Sequence, residues 1–170
     1  MPTCMLWGVP DERESRQSKR RLERDVYKNI LIALDESQAA ERALHRAIAM
    51  TEIEKGDLFV VVVNEGLPLF ASIVWGVSRD FAKILEEDRR NLSRRLLDDA
   101  KKQAQSHLIH LHSTLAEGKP ANSILEAVHQ VHADLLVFGI NHHLAFGGVI
   151  FGSTAIELAR QASCDVLGVH

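Results

Sequence analysis

The chain has 170 residues, 46% hydrophobic and 25% charged, with 20 Lys and Arg against 23 Asp and Glu for a net charge of −3. That is one domain with a tail at roughly 150 residues per domain, too apolar for whole-chain disorder and too balanced to hold nucleic acid by bulk charge. Two distant cysteines, Cys4 and Cys164, give no disulfide framework or metal spacing, and no apolar run approaches a bilayer span or a secretory signal, so a soluble cytoplasmic protein is expected.

Residues 1–26 differ from the rest. From Asp11 to Lys28 the text is DERESRQSKRRLERDVYK, with both charge signs and hardly any apolar residue. Such a segment buries too little to offset its ordering entropy and is expected to be a flexible extension. Acidic residues interleave with Lys19, Arg20 and Arg21, which reads as a solvated tail rather than a nucleic-acid patch.

From Ile30 to Leu34 a short apolar run predicts a buried strand, ended by Asp35-Glu36-Ser37. Ala40, Ala43, Leu44, Ala47 and Ile48 then recur at helical spacing, with Ser37 as N-cap and Gly56-Asp57 as the break. Leu58 to Val63 is continuously apolar, the pattern of a parallel strand covered on both faces. Gly66 to Val77 is an apolar connection in which Phe70 and Trp75 are expected to cover a pocket or a dimer contact. Phe81, Leu85, Leu92, Leu96 and Ala104 mark one face of a long helix. Alternation from His107 to Leu115 predicts a third strand, with His110 and His112 on one side as an exposed edge pair rather than a metal site. Pro120 opens a helix whose buried stripe is Ile124, Leu125, Val128 and Val131. Asp134 to Gly139 is a fourth strand. A loop then leads to Gly152-Ser153-Thr154 and a helix through Ala162, with Cys164 as a buried small hydrophobe and Asp165 to Val169 as the last strand.

Strand–helix alternation of this kind predicts an α/β protein with a parallel sheet. Ligands in such sheets bind beyond the carboxyl ends of the strands, where strand order reverses. That directs attention to Asp35, to Val63-Asn64-Glu65, and to Gly139 through Thr154. Gly152-Ser153-Thr154 at a helix start presents backbone N–H groups and a positive dipole end, which suits phosphate. Without a bound anion the same residues are a bare helix start, and Thr154 and Glu157 have capping-box spacing that would place the Glu157 carboxylate in competition. Asp35 on its own reads first as a helix-cap or turn residue after a strand. Asn141-His142-His143 lacks a carboxylate or cysteine beside it and makes a poor metal site.

YKNILIALDES at the first strand, ADLLVFG at the fourth and GSTAIELARQASCDVLGV at the end resemble the universal stress protein family over Tyr27 to His170. The resemblance implies a five-stranded parallel sheet in the order 3-2-1-4-5 with helices on both faces, flavodoxin-like and similar to the adenine nucleotide alpha hydrolases, and a homodimer. It implies a site for ATP, with any magnesium accompanying the nucleotide. Ala33, Leu34 and Asp35 would flank adenine and ribose, Val63 would meet the adenine edge, Phe138 and Gly139 would line the opposite wall, and Ser153 and Thr154 would hold phosphates. The family's pattern of Gly, two residues, Gly, nine residues, Gly-Ser/Thr begins at Gly139 and ends at Gly152-Ser153, but its middle glycine is His142. That exchange removes a permissive backbone position and is expected to weaken binding. Between Gly139 and Gly152 there is no Lys or Arg, only His142 and His143, which are largely neutral at pH 7 unless a bound anion favours their charged form.

Two functions follow. One is a non-catalytic regulatory protein that binds an adenine nucleotide, with at most slow intrinsic ATP hydrolysis. The other is a nucleotide-free dimer acting through its surface. No nucleophile–base pair or acid–base dyad marks an enzyme, and neither nucleic acid nor membrane is an expected partner.

Overall fold

The computed structural model describes residues 27–66, 79–140, 142–145 and 148–170, with only the backbone path described for 79–82, 142–145 and 148–151. The charged extension 1–26, the connection bearing Phe70 and Trp75, Asn141, and the side chains of His142 and His143 lie outside the described residues.

In chain order the elements are β1 (Asn29–Ala33), α1 (Gln38–Glu54), β2 (Asp57–Asn64), α2 (Arg79–Ser106), β3 (Leu111–Glu117), α3 (Pro120–Gln130), β4 (Leu135–Gly139), β5 (His142–Ala145), β6 (Gly148–Phe151), α4 (Ser153–Gln161) and β7 (Asp165–Val169). Five strands form one parallel sheet in the order β3-β2-β1-β4-β7, which is the expected 3-2-1-4-5 when only its own strands are counted.

Alternate residues of the central strands feed two separate cores. Ile30, Ile32, Val60, Val62 and Val137 pack under α1 and α2, while Leu31, Ala33, Val61, Leu136 and Phe138 pack under α3 and α4. Covered on both faces, these strands gain nothing from polar alternation, hence the continuous apolar runs. Each fully buried Ile, Leu or Val contributes about 1.5–3 kcal/mol.

The Ser37 cap forms as expected, its Oγ accepting the Ala40 N–H at 3.1 Å. Helix α3 carries Pro120 at its first turn. The amino ends of the strands are tied by Asp134, which accepts the backbone N–H groups of Lys28 and Asn29, both at 2.9 Å.

Three expectations are corrected. The third strand begins at Leu111, not His107, because α2 runs on to Ser106 and leaves through Leu108 at φ 60. Leu108 N–H bonds to Gln105 O at 2.9 Å and Ile109 N–H to Ala104 O at 3.0 Å, the paired bonds of a Schellman exit. His110 therefore precedes the strand, its ring edge-on to His112 at 4.6 Å, while His112 stacks on Phe59 at 5.0 Å. Second, the stretch expected as a loop after β4 contains an antiparallel hairpin, β5 with β6, pairing His142 with Phe151. Third, Thr154 does not cap α4, whose N-cap is Gly152.

Candidate functional site

Strands β2 and β3 lie on one side of β1, and β4 and β7 on the other, so strand order reverses between β1 and β4. A cavity of about 280 Å³ opens there, at the carboxyl ends of the strands and on the α3–α4 side. Its walls bring together Ala33, Leu34, Asp35, Val63, Phe138, Gly139, Gly152 and Thr154 from the expected set. Ser153 is the first residue of α4 and is not among the lining residues. His142 opens β5, three residues beyond the end of β4.

The sequence reading missed the floor. Val61, Pro120, Ile124, Ala155 and Leu158 also line the cavity. Ile124 was legible as part of an apolar helical stripe, and that stripe looks the same whether it faces a closed core or a cavity.

The two outer glycines of the motif have different physical causes. A Cβ on Gly139 would sit 2.6 Å from Ala39 C and 2.8 Å from Ala40 Cα, so the start of α1 crosses β4 at a distance only glycine permits. A Cβ on Gly152 would meet no described atom within 4 Å, and its φ of −57 is open to any residue. Packing explains the first and leaves the second unexplained.

Asp35 is held by its own turn. Its Oδ1 accepts the Ser37 N–H at 2.9 Å, and Oδ2 has no hydrogen-bond partner among the described residues. The carboxylate is thus a fixed acceptor at the cavity wall, suited to a hydroxyl or amine donor.

At the start of α4 the capping box does not form. Gly152 is the N-cap, Thr154 lies inside the helix, and Glu157 Oε1 instead accepts Gln161 Nε2 at 3.3 Å. Neither α3 nor α4 has a side-chain cap or an acidic residue in its first turn, and both helix starts border the cavity through Pro120 and Thr154. Their first-turn amides are the arrangement that favours an anion.

The Asp35–Ser37 turn also borders a second cavity, about 440 Å³, toward α2, which includes Asn64, Glu65, Arg89 and Ser93. It lies away from both motif glycines. Among the described residues no group of three or more His, Cys, Asp or Glu side chains is arranged to hold a metal ion. No helix of the described residues is long and apolar enough to cross a membrane. Cys164 is half-buried, and burial pushes its thiol above the ordinary value.

Comparison with known proteins fits this architecture. The chain is 27% identical over 145 residues to a universal stress protein of Methanocaldococcus jannaschii, covering 85% of this chain and 83% of that protein. The universal stress protein UspA from Lactobacillus plantarum superposes with a TM-score of 0.72 at 20% identity, over 85% of this chain and 98% of that one. A universal stress protein solved in complex with cAMP superposes at 0.65 with 23% identity, over 86% and 99%. The universal stress protein family profile matches residues 26–170, so the chain belongs to that family.

Proposed function

We propose that this chain is a non-catalytic regulatory protein that binds an adenine nucleotide in the cavity between Asp35 and the start of α4. The observation that carries the reading is Gly152: no described atom lies where its side chain would be, beside a cavity bordered by two uncapped helix starts. A relative of the same fold takes cAMP, which supports an adenine ligand here. In this reading adenine lies on the apolar walls of Val63 and Phe138, Asp35 accepts from the ribose, and Thr154 with the α4 amides meets phosphate. Ser153 contributes through its backbone. Binding of ATP is weakened by His142 in the middle glycine position and by the lack of Lys or Arg between Gly139 and Gly152. Magnesium enters only with ATP.

The reading extends to setting and assembly. The protein works in the cytoplasm as a homodimer, and β7, an edge strand with Val166, Leu167 and Val169 only half-buried, offers the surface for the second copy. Light scattering giving twice the chain mass is the expected result, and a monomer at all concentrations would remove the dimer. This same strand supports the second reading, a nucleotide-free dimer acting through its surface.

Calorimetry with AMP and ATP on the wild type, His142→Gly and Gly152→Val separates the two. The expected outcome is weak binding by the wild type, tighter binding by His142→Gly, and none by Gly152→Val, whose side chain fills the approach. No heat from wild type or His142→Gly at millimolar nucleotide leaves the nucleotide-free dimer standing.

A further inference from the structure

We propose that the cavity selects adenine ligands with a single phosphate, and that the second and third phosphates of ATP add no affinity. This rests on the adenine-nucleotide reading above and specifies which member of that class the site takes.

Size and charge both point this way. At about 280 Å³ the cavity falls just below the span of roughly 300–1,000 Å³ usual for small-molecule sites, so it encloses a nucleoside with little beyond it. Among its described lining residues only Asp35 and Thr154 carry polar side chains, and the single charge among them is negative. A triphosphate is ordinarily neutralised by Lys, Arg or a metal held at the phosphates. Here the stretch from Gly139 to Gly152 reads GINHHLAFGGVIFG, with no permanent cation at any position, so the conclusion stands wherever its side chains lie. Each added phosphate therefore brings negative charge toward the fixed Asp35 carboxylate without bringing it toward a counter-charge. One phosphate can be met by the Thr154 hydroxyl and backbone amides. Three exceed what neutral donors supply.

The basic residue next in sequence to the lining is Lys119, exposed beside Pro120. Its reach would defeat the inference, which makes it the control; Arg89, in the second cavity that Asp35 borders, donates to the Glu65 carbonyl.

The test is calorimetric titration of the full chain with adenosine, AMP and ATP at pH 7.5, with EDTA present so that no magnesium neutralises the phosphates. AMP should bind at least about threefold more tightly than ATP, and adenosine within about tenfold of AMP. Asp35→Asn keeps an acceptor for the Ser37 N–H and removes the charge, so it should raise the affinity for ATP relative to AMP by about threefold or more. ATP binding tenfold tighter than AMP, with that advantage lost in Lys119→Ala, would overturn the inference while upholding the adenine reading. An ATP-to-AMP ratio that Asp35→Asn leaves unchanged would overturn its electrostatic basis. Absence of binding by all three ligands would end the adenine reading and this inference with it.

Discussion

Gly139 and Gly152 belong to one motif in the sequence yet answer to different neighbours. Gly139→Ala sets a Cβ against the Ala39–Ala40 backbone, which cannot give way as a side-chain tip can. It should cost about 1–3 kcal/mol by urea denaturation. Gly152→Ala meets no described atom at a permitted φ, so its stability should stay within about 0.5 kcal/mol of wild type, the poorer cap offset by reduced unfolded-state entropy. Equal losses at both positions would refute this division. The sequence showed the spacing of these glycines but not their cause, because the helix that forbids a side chain at Gly139 begins a hundred residues earlier. Cys164 titrates in a direction that can also be checked. Burial, only partly offset by a hydrogen bond with the Leu136 backbone, raises its thiol above the ordinary 9.0. Below that value both folded and unfolded chains hold the proton and the stability contribution is intact. As pH rises through it the unfolded chain ionises first and stability falls. In a Cys4→Ser background, Cys164 should react with iodoacetamide at pH 8 more slowly than a free thiol and reach that rate in urea. Equal rates without urea would show an exposed thiolate.

Helix ends decide where the elements depart from their pattern. The alternation of Leu108, His110 and His112 looked like a strand, but the preceding helix claims residues through Ser106 and exits through Leu108 in the left-handed region. That conformation is rare for a non-glycine residue, and neither its cost nor the two exit bonds can be read from alternation. Leu108 is 96% exposed, so its side chain contributes almost no packing. Leu108→Gly should accordingly stabilise the fold by about 0.5–1 kcal/mol, the relief of left-handed strain exceeding the added unfolded-state entropy. Denaturant midpoints of the two proteins measure this, and a destabilised variant would mean that Leu108 is held by contacts it does not show. The start of α4 gives the same lesson in reverse. Thr154 and Glu157 have capping-box spacing, but with Gly152 as N-cap the register is wrong by two residues, and Glu157 pairs with Gln161 instead. Capping boxes depend on which residue leaves the helix, and here glycine left first. The β5–β6 hairpin was invisible for a plainer reason. Its strands are short, and paired glycines and histidines give no alternation to read.

The whole molecule was the most legible level. Continuous apolar runs require strands covered on both sides, and these strands indeed divide their residues between two cores, one under α1 and α2 and one under α3 and α4. Reversal of strand order beside β1 then places the cavity without reference to any single residue. Closure at the opposite end of the sheet bears on the charged extension. Tyr27 donates its hydroxyl to Asp165 Oδ2 at 2.9 Å, Lys28 and Asn29 donate backbone N–H groups to Asp134, and Asp165 N–H bonds to Asp134 O at 3.1 Å. The chain is thus fastened to β4 and β7 from Tyr27 onward, by residues that follow the extension. Residues 1–24 carry their large apolar side chains in Met1, Met5, Leu6, Trp7 and Val9, with Leu22 alone in the charged stretch 11–24, too little surface to add another core. Deleting residues 1–24 should shift the thermal midpoint by no more than about 2–4 °C, equivalent to about 1 kcal/mol for a domain of this size. Asp134→Ala in the truncated chain should lower it further, because two backbone donors lose a charged acceptor, at about 1.5–3 kcal/mol for a hydrogen bond of that kind. A drop of about 10 °C or more on truncation alone would place the extension against the domain, and would make Tyr27 the middle of the fold's first contact rather than its beginning.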